Sequence, residues 1–288
     1  MSKETSLEEI KKFWPKLAPD IQNIKKYVEK YQEEKIVIKC GGNVLIDPKL
    51  FTNFIEDVVI LNKLGLTIII VHGGGPRIKN KLIELNLPST FIKGLRVTDE
   101  KIIKVVEDVL IEFNKEIVSA LSKKLCKALS ITTKDENVIY VKPERKELGF
   151  VGIPDNIKIN IIDEIINKNE IPVLAPMGLD KHHKPYNINA DIAAGAIAKA
   201  LKSRRLLLMT NVEGVYDKNK KLLSELSVAQ AEQMIKDEVV IGGMIPKINT
   251  CIDAIKFGVK GVVIIDGRKP HSILNEIFSE QGAGTLIR

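Results

Sequence analysis

Residues 66 to 76 read LTIIIVHGGGP. Leu66 to Val71 is a nearly unbroken apolar run, as expected of a strand buried on both faces; a half-buried strand would alternate. The run stops at three consecutive glycines, and Pro76 opens a helical pattern that continues to Leu85. Strand, glycine turn and helix make the repeating unit of an α/β fold. The unit recurs outward on both sides. KIVIK (35–39) ends at Gly41-Gly42 and is followed by a helical pattern from Pro48 to Leu64. IPVLA (171–175) precedes a small-residue helix from Ile192 to Leu201. Between them lie a long amphipathic stretch, Thr98 to Leu129, and two runs of a more irregular middle region, Val138 to Lys142 and Lys158 to Ile161, which read as strands. Arg205 to Met209, Val239 to Ile241 and Gly261 to Ile265 read as three more. The alternation predicts a mainly parallel sheet, with ligands bound at the carboxyl ends of its strands.

Composition narrows the function classes. The chain has 288 residues, 44 basic and 37 acidic side chains, a net charge of +7 and 5% aromatics. Seven of the basic residues are Arg, and the lysines are interspersed with acids throughout. A nucleic-acid surface would cluster its cations and interleave aromatics, so a solvated surface with mild attraction for small anions is expected instead. The longest apolar run is far short of the ~20 residues of a membrane span, and the N-terminus has no apolar signal region. Cys40, Cys126 and Cys251 are dispersed and form no CxxC pair, which fits a reducing cytoplasm.

Residues 1 to 34 read as an N-terminal helical extension. Leu7, Ile10, Trp14 and Leu17 recur at helical spacing, and Ile21, Ile24, Val28 and Tyr31 resume the pattern after Pro19. This predicts two helices, or one bent near Pro15 to Pro19. Its apolar face has two available partners, its own domain or another subunit.

Four glycine-rich turns sit where strands end: KCGGN (39–43), HGGGP (72–76), GGMIPK (242–247) and DGR (266–268). Such turns let backbone amides approach an anion, and a following helix start adds partial positive charge. The chain has no GxxxxGK[ST] loop, no HRD or DFG, no GxSxG elbow and no GxGxxG. P-loop NTPases, protein kinases, α/β-hydrolases and nicotinamide enzymes are therefore disfavoured. Two lysines remain beside glycines, Lys39 and Lys247. Phosphoryl transfer needs positive charge on the migrating group, and an acid such as Asp191 would offset the repulsion between two ammonium groups. His72 reads either as a catalytic residue or, more commonly for a lone histidine, as a structural one. The two histidines of GLDKHHK (178–184) read as a solvated hairpin.

From about Lys35 onward these motifs resemble the amino acid kinase family: VIKCGGN (37–43), IVHGGGP (70–76), IKGLRVTD (92–99), LGFVG (148–152), YNINAD (186–191), MTNVEGVYD (209–217), GGMIPK (242–247) and IIDGRKPH (264–271). GLRVTD with NINAD narrows the resemblance to the branch whose acceptor is N-acetyl-L-glutamate. The resemblance implies a three-layer αβα sandwich and phosphorylation of the acceptor's γ-carboxylate by ATP with Mg2+, the metal being carried by the nucleotide. It places the phosphate-stabilising lysines at Lys39 and Lys247 and the aspartate that organises them at Asp191. Acceptor contacts fall on Gly74, Gly75, Arg96 and Asn187. Nucleotide contacts fall on Gly41, Gly42, Asn211, Val212, Glu213, Gly214 and Lys247. An acyl-substrate lobe spans 35–200 and an ATP lobe 201–288.

Relatives with an N-terminal helix resemble arginine-inhibited homohexamers built as trimers of dimers, so residues 1–34 are expected to serve oligomerisation or regulation. Tyr27, Glu276 and Gly282 are then candidates for an L-arginine site. A PII-type regulator binds some family members, and nothing in this sequence decides that point. Two other readings stay open: a sister kinase acting on an aminoadipate derivative, and a non-catalytic ligand-binding module on the same fold. The presence of both lysines counts against the module.

Overall fold

The computed structural model describes residues 7–21 and 24–288; residues 1–6, 22 and 23 of the expected extension lie outside the described residues. Helices α1 (Leu7–Lys11) and α2 (Ile24–Tyr31) precede β1 (Lys35–Cys40). The chain continues through α3 (Pro48–Lys63), β2 (Thr67–His72), α4 (Gly75–Glu84) and a small hairpin, β3 (Phe91–Ile92) with β4 (Leu95–Arg96). Then come α5 (Glu100–Lys123), β5 (Ala128–Ile131), β6 (Ile139–Pro143), β7 (Gly152–Ile157), α6 (Ile159–Asn167), β8 (Ile171–Leu174), β9 (Met177–Leu179) and β10 (Pro185–Asn187). Helix α7 (Ala190–Ala200) leads to β11 (Arg205–Thr210), β12 (Val215–Tyr216), β13 (Leu222–Leu223), β14 (Glu225–Leu226) and α8 (Val228–Lys236). The last elements are α9 (Met244–Lys256), β15 (Val262–Asp266), α10 (Ser272–Phe278) and β16 (Gly284–Ile287).

One sheet has the order β14-β16-β15-β11-β1-β2-β8-β5. Its pairings are parallel except β15 with β16. Because side chains alternate across a strand, each central strand feeds two cores. Ile36, Ile38, Ile68, Ile70, Leu207 and Val263 face one layer, where α3, α5 and α10 pack. Val37, Ile69, Val71, Leu206, Leu208 and Ile264 face the other, with α6, α7, α8 and α9. This is the expected three-layer αβα arrangement, and it explains why the strands read as continuous apolar runs. A second sheet, β10-β9-β6-β7, forms the irregular middle region. No helix among the described residues is long and apolar enough to cross a membrane.

Three sequence expectations need correction. Lys158 to Ile161 is not a strand: β7 ends at Ile157 and α6 begins at Ile159, because Ile162 and Ile165 continue the run at helical spacing and are buried. Val239 to Ile241 is not a strand either. The amides of Val239 and Val240 both donate to Met234 O, so the segment wraps back on the end of α8 after Glu238 adopts a left-handed φ of 55°. The long helix stops at Lys123 rather than Leu129, since Leu125 turns left-handed (φ 59°) and the chain enters β5.

The N-terminal segment packs on its own chain. The Trp14 ring meets Phe278 of α10 edge-on at 5.6 Å, and Tyr27 does so at 6.3 Å. Trp14 Nε1 donates to Pro19 O at 2.8 Å, closing the turn between the two helical runs. Packing on its own domain is one of the two partners the sequence left open.

Helix α10 is tied to α3 by a buried pair, His271 Nδ1 with Asp57 Oδ1 at 2.6 Å. Burial pushes the Asp57 carboxyl up to about 6 despite the His271 hydrogen bond, and the bond to Asp57 raises His271. Both folded values lie above the unfolded ones, so the folded state holds more protons. The pair's contribution is complete below the unfolded carboxyl value of about 3.9 and is lost as pH climbs through the folded values. Thermal melts are expected to show wild type losing Tm relative to Asp57→Asn as pH rises from about 5 to about 8, because only the wild type must ionise a buried carboxyl.

Candidate active site

Strand β1 delivers Lys39 at its carboxyl end, opposite Leu208 of β11 and Val71 of β2. Helix α7 begins just beyond, capped by Asn189, whose side chain accepts from the amides of Asp191 and Ile192. Asp191 therefore sits in the first helical turn, where partial positive charge favours a carboxylate. Lys247 occupies the first turn of α9. These two helices can lie close where α7 presents Gly195 to α9. A Cβ on Gly195 would stand 2.7 Å from the Thr250 methyl of α9.

The result is one carboxylate between two ammonium groups. Lys39 Nζ lies 3.0 Å from Asp191 Oδ1, and Lys247 Nζ donates to Asp191 Oδ2. Lys39 Nζ also reaches Met209 O at 3.5 Å. Burial alone would raise the Asp191 carboxyl; Lys39 and Lys247 outweigh it and hold the group well below the usual carboxylate range. Asp191 is thus ionised throughout the physiological range and has no free basicity.

The glycines beside this triad have separate reasons. A Cβ on Gly41 would lie 2.1 Å from Lys39 Nζ, so the ammonium needs that space. Gly42 is left-handed (φ 66°), and a Cβ there would meet Asn211 Oδ1 at 2.2 Å. Gly74 must be glycine because Leu110 packs against it, at 2.4 Å from a built Cβ. At Gly75 a Cβ would meet nothing within 4 Å. That open space belongs to a cavity of about 240 Å3 lined by Lys39, Gly41, Gly42, Gly74, Gly75, Arg96, Asn187 and Asp191, among others. The volume is below the ~300–1,000 Å3 of drug-sized sites and suits a small ligand.

Arg96, 7% exposed, is with Lys39 one of two buried cations that line the cavity. Its Nη1 donates to Ser89 Oγ and its Nη2 to Gly75 O at 3.2 Å, with the Phe91 ring 4.6 Å from the guanidinium. No carboxylate pairs with it among the described residues, and Ser89 and Gly75 O hold its fork at the cavity wall. Ser89 and Phe91 were not singled out in the sequence; neither carries a motif, and their role exists only because the β3–β4 turn folds them onto Arg96.

Asn211, Val212, Glu213, Gly214 and Lys247 do not line this cavity. Lys247 joins it through Asp191. Asn211 is beside Gly42, and Glu213 pairs with Lys269 at 2.7 Å, bridging the loops after β11 and β15. Gly214 leaves room for Thr285, whose Oγ1 accepts from Val215 N. Tyr27, Glu276 and Gly282 lie apart, by α10. Gly282 (φ 68°) would place a Cβ 2.7 Å from Glu276 Oε2, and Glu276 accepts from Ala283 N at 2.8 Å. Burial raises the Glu276 carboxyl. Tyr27 reaches this region through Phe278. Asp180 accepts from the amides of His182 and Lys184, making GLDKHHK the β9–β10 hairpin turn. Among the described residues no group of three or more His, Cys, Asp or Glu side chains could hold a metal ion. The Cys40 thiol, next to Lys39, is fully buried and pushed up to about 12 by burial, which makes it apolar filling.

Residues 34–266 match the model of the amino acid kinase family. The chain is 57% identical over 281 residues, 98% of each protein, to an acetylglutamate kinase of Pelagibacter ubique. It is 46% identical over 275 residues to the acetylglutamate kinase of Brucella abortus, covering 91% of this chain and 93% of that one. Among solved structures, smu.665 from Streptococcus mutans superposes with a TM-score of 0.75 at 31% identity, over 88% of this chain and 98% of that one. N-acetylglutamate synthase from Neisseria gonorrhoeae gives 0.82 at 20% identity, a likeness of fold alone; 92% of this chain matches 62% of the synthase.

Replacing Asp191 by Asn leaves two ammonium groups facing each other without a counter-charge. Turnover is expected to fall by about 10²-fold or more with MgATP saturating, read as ADP release. Unchanged turnover would remove Asp191 from the machinery.

Proposed function

The chain belongs to the amino acid kinase family, and from that premise we propose that it transfers the γ-phosphoryl group of MgATP to the γ-carboxylate of N-acetyl-L-glutamate. The products are N-acetyl-L-glutamyl 5-phosphate and ADP, in the second step of arginine biosynthesis. The observation that carries the reading is the Lys39–Asp191–Lys247 triad bordering a small cavity that holds Arg96, an arginine with no carboxylate partner among the described residues. The relatives named acetylglutamate kinase supply the acceptor.

The acceptor carboxylate is already ionised at neutral pH, so the transfer needs no general base. This suits Asp191, which both lysines engage and which is too weak a base to take a proton. Lys39 and Lys247 approach the migrating phosphoryl group from two different elements and offset the charge on its oxygens in an in-line transfer. Magnesium arrives with the nucleotide as part of the donor. The Arg96 fork grips the α-carboxylate, and Asn187 serves the amide end.

The division of labour follows the chain. Every residue lining the cavity lies between Lys39 and Asp191, inside the 35–200 acyl-substrate lobe. The nucleotide is assigned to 201–288, along the Asn211 to Gly214 turn. L-Arginine is proposed as an inhibitor bound near Tyr27, Glu276 and Gly282, in a homohexamer that needs the N-terminal segment. The support is local: Glu276 is a half-buried carboxylate beside α2, and α2 belongs to the extension.

ADP release should depend on N-acetyl-L-glutamate and be absent with glutamate, N-acetyl-aminoadipate or UMP; turnover with another acceptor would move the chain to a sister branch. Arg96→Ala should raise KM for the acceptor by about 10–100-fold with a smaller change in kcat, the loss of one charge-assisted contact. Deleting residues 1–30 should abolish arginine inhibition and leave dimers by light scattering, whereas unchanged hexamers would refute the regulatory role.

A further inference from the structure

His72 is fully buried at the end of β2 and does not line the cavity. Its two ring nitrogens nevertheless have fixed tasks. Nδ1 lies 2.9 Å from Gly73 O, and a carbonyl only accepts, so Nδ1 carries the proton. Nε2 lies 3.2 Å from Asn114 Nδ2 and accepts from it. Asn114 is itself held, since the same amide nitrogen donates to Val173 O at 2.9 Å. Turning the amide over would set Asn114 Oδ1 against that carbonyl. The observed orientation is kept although Oδ1 is left buried without a partner, which marks it as specified. Burial lowers His72 to about 4, so the ring stays in this neutral tautomer at physiological pH. Phe113, one position before Asn114 on α5, meets the ring edge-on at 5.2 Å and limits its rotation.

The consequence passes through one peptide plane. In a trans peptide the C=O and the next N–H point in opposite directions. The Gly73 carbonyl is drawn toward a fully buried imidazole, so the Gly74 N–H points the other way, toward the side on which Gly73 and Gly74 line the cavity. Gly73 is also held from its other end, where its own N–H donates to Cys40 O at 2.7 Å. The Gly74 N–H has no partner among the described residues.

We infer that His72 is a positioning residue for the transfer: through the Gly73 carbonyl it aims the Gly74 N–H at the reacting group, with Asn114 fixing its tautomer. The inference rests on the kinase reading above, with Gly74 and Gly75 as the acceptor contacts that the family resemblance implies. A donor held in place before reaction counts most where charge develops, so its loss appears in kcat rather than in KM for MgATP.

Asn and Gln replacements separate this role from packing. The carboxamide of Asn reaches the Nδ1 position and can still donate to Gly73 O; that of Gln reaches the Nε2 position and cannot. With wild-type turnover established first, His72→Asn should keep kcat within about 3-fold, while His72→Gln loses about 10–100-fold. Both should lose Tm to a similar extent. Equal kcat losses that track Tm would overturn the inference. Should His72→Gln fail to fold, Asn114→Ser frees the Nε2 side, and kcat should fall several-fold with KM for MgATP unchanged; unchanged kcat there would equally overturn it. A wild type inactive on N-acetyl-L-glutamate refutes the acceptor reading instead, and the same comparison then runs on whichever acceptor it turns over.

Discussion

Two ammonium groups do not share a small buried space without an anion between them. Asp191 is that anion, and much of the molecule serves to keep it there. Asn189 caps the helix that carries it, the first turn of α7 favours its charge, and Gly195 of α7 lets α9 bring Lys247 within reach. Lys39 comes from the sheet itself, so the triad joins a strand to two helices of one layer. The glycines at 41 and 42 complete the arrangement by leaving room where any side chain would displace Lys39 or Asn211.

The opposite layer has a different task. Helix α5 backs the HGGG turn from Leu110 to Glu116. Leu110 presses on Gly74, Phe113 packs against His72 and, at 4.0 Å, against the Arg77 guanidinium, and Glu116 pairs with Arg77 at 2.6 Å. A turn of three glycines has more conformational freedom to lose than any other three-residue segment. A long rigid helix with four successive contacts is a direct way to restrict it. The same layer carries α10 and the N-terminal segment, joined through Phe278, Trp14 and Tyr27.

Elements with strong periodicity were legible in advance. β1, β2, β8, β11 and β15, and α3, α4 and α7, stand within a residue or two of where their patterns placed them. The failures share a cause. Lys158 to Ile161 and Val239 to Ile241 are short apolar runs, and over four residues period 2 and period 3.6 are hard to distinguish. Tertiary contacts chose helix for the first and a helix-end wrap for the second. The two-residue strands around Arg96 and the antiparallel β16 carry almost no local signal, because only their neighbours make them strands.

The sequence by itself determined the α/β class, the glycine turns after β1, β2 and β15, and which lysines, aspartate and arginine were candidates for the site; the fourth glycine turn, at 242–243, follows no strand. The class and the turns rest on local periodicity, the lysines and aspartate on residue type, and Arg96 on the resemblance to amino acid kinases; none of these needs a spatial partner to be read. The tertiary structure alone decided which of these residues meet. It placed Asp191 between Lys39 and Lys247, folded Ser89 and Phe91 onto Arg96, turned the N-terminal apolar face onto its own α10, and left the 211–214 turn outside the cavity beside the triad. Each joins residues far apart in the chain or depends on a backbone turn, and such contacts are set by how layers pack, which no single segment encodes.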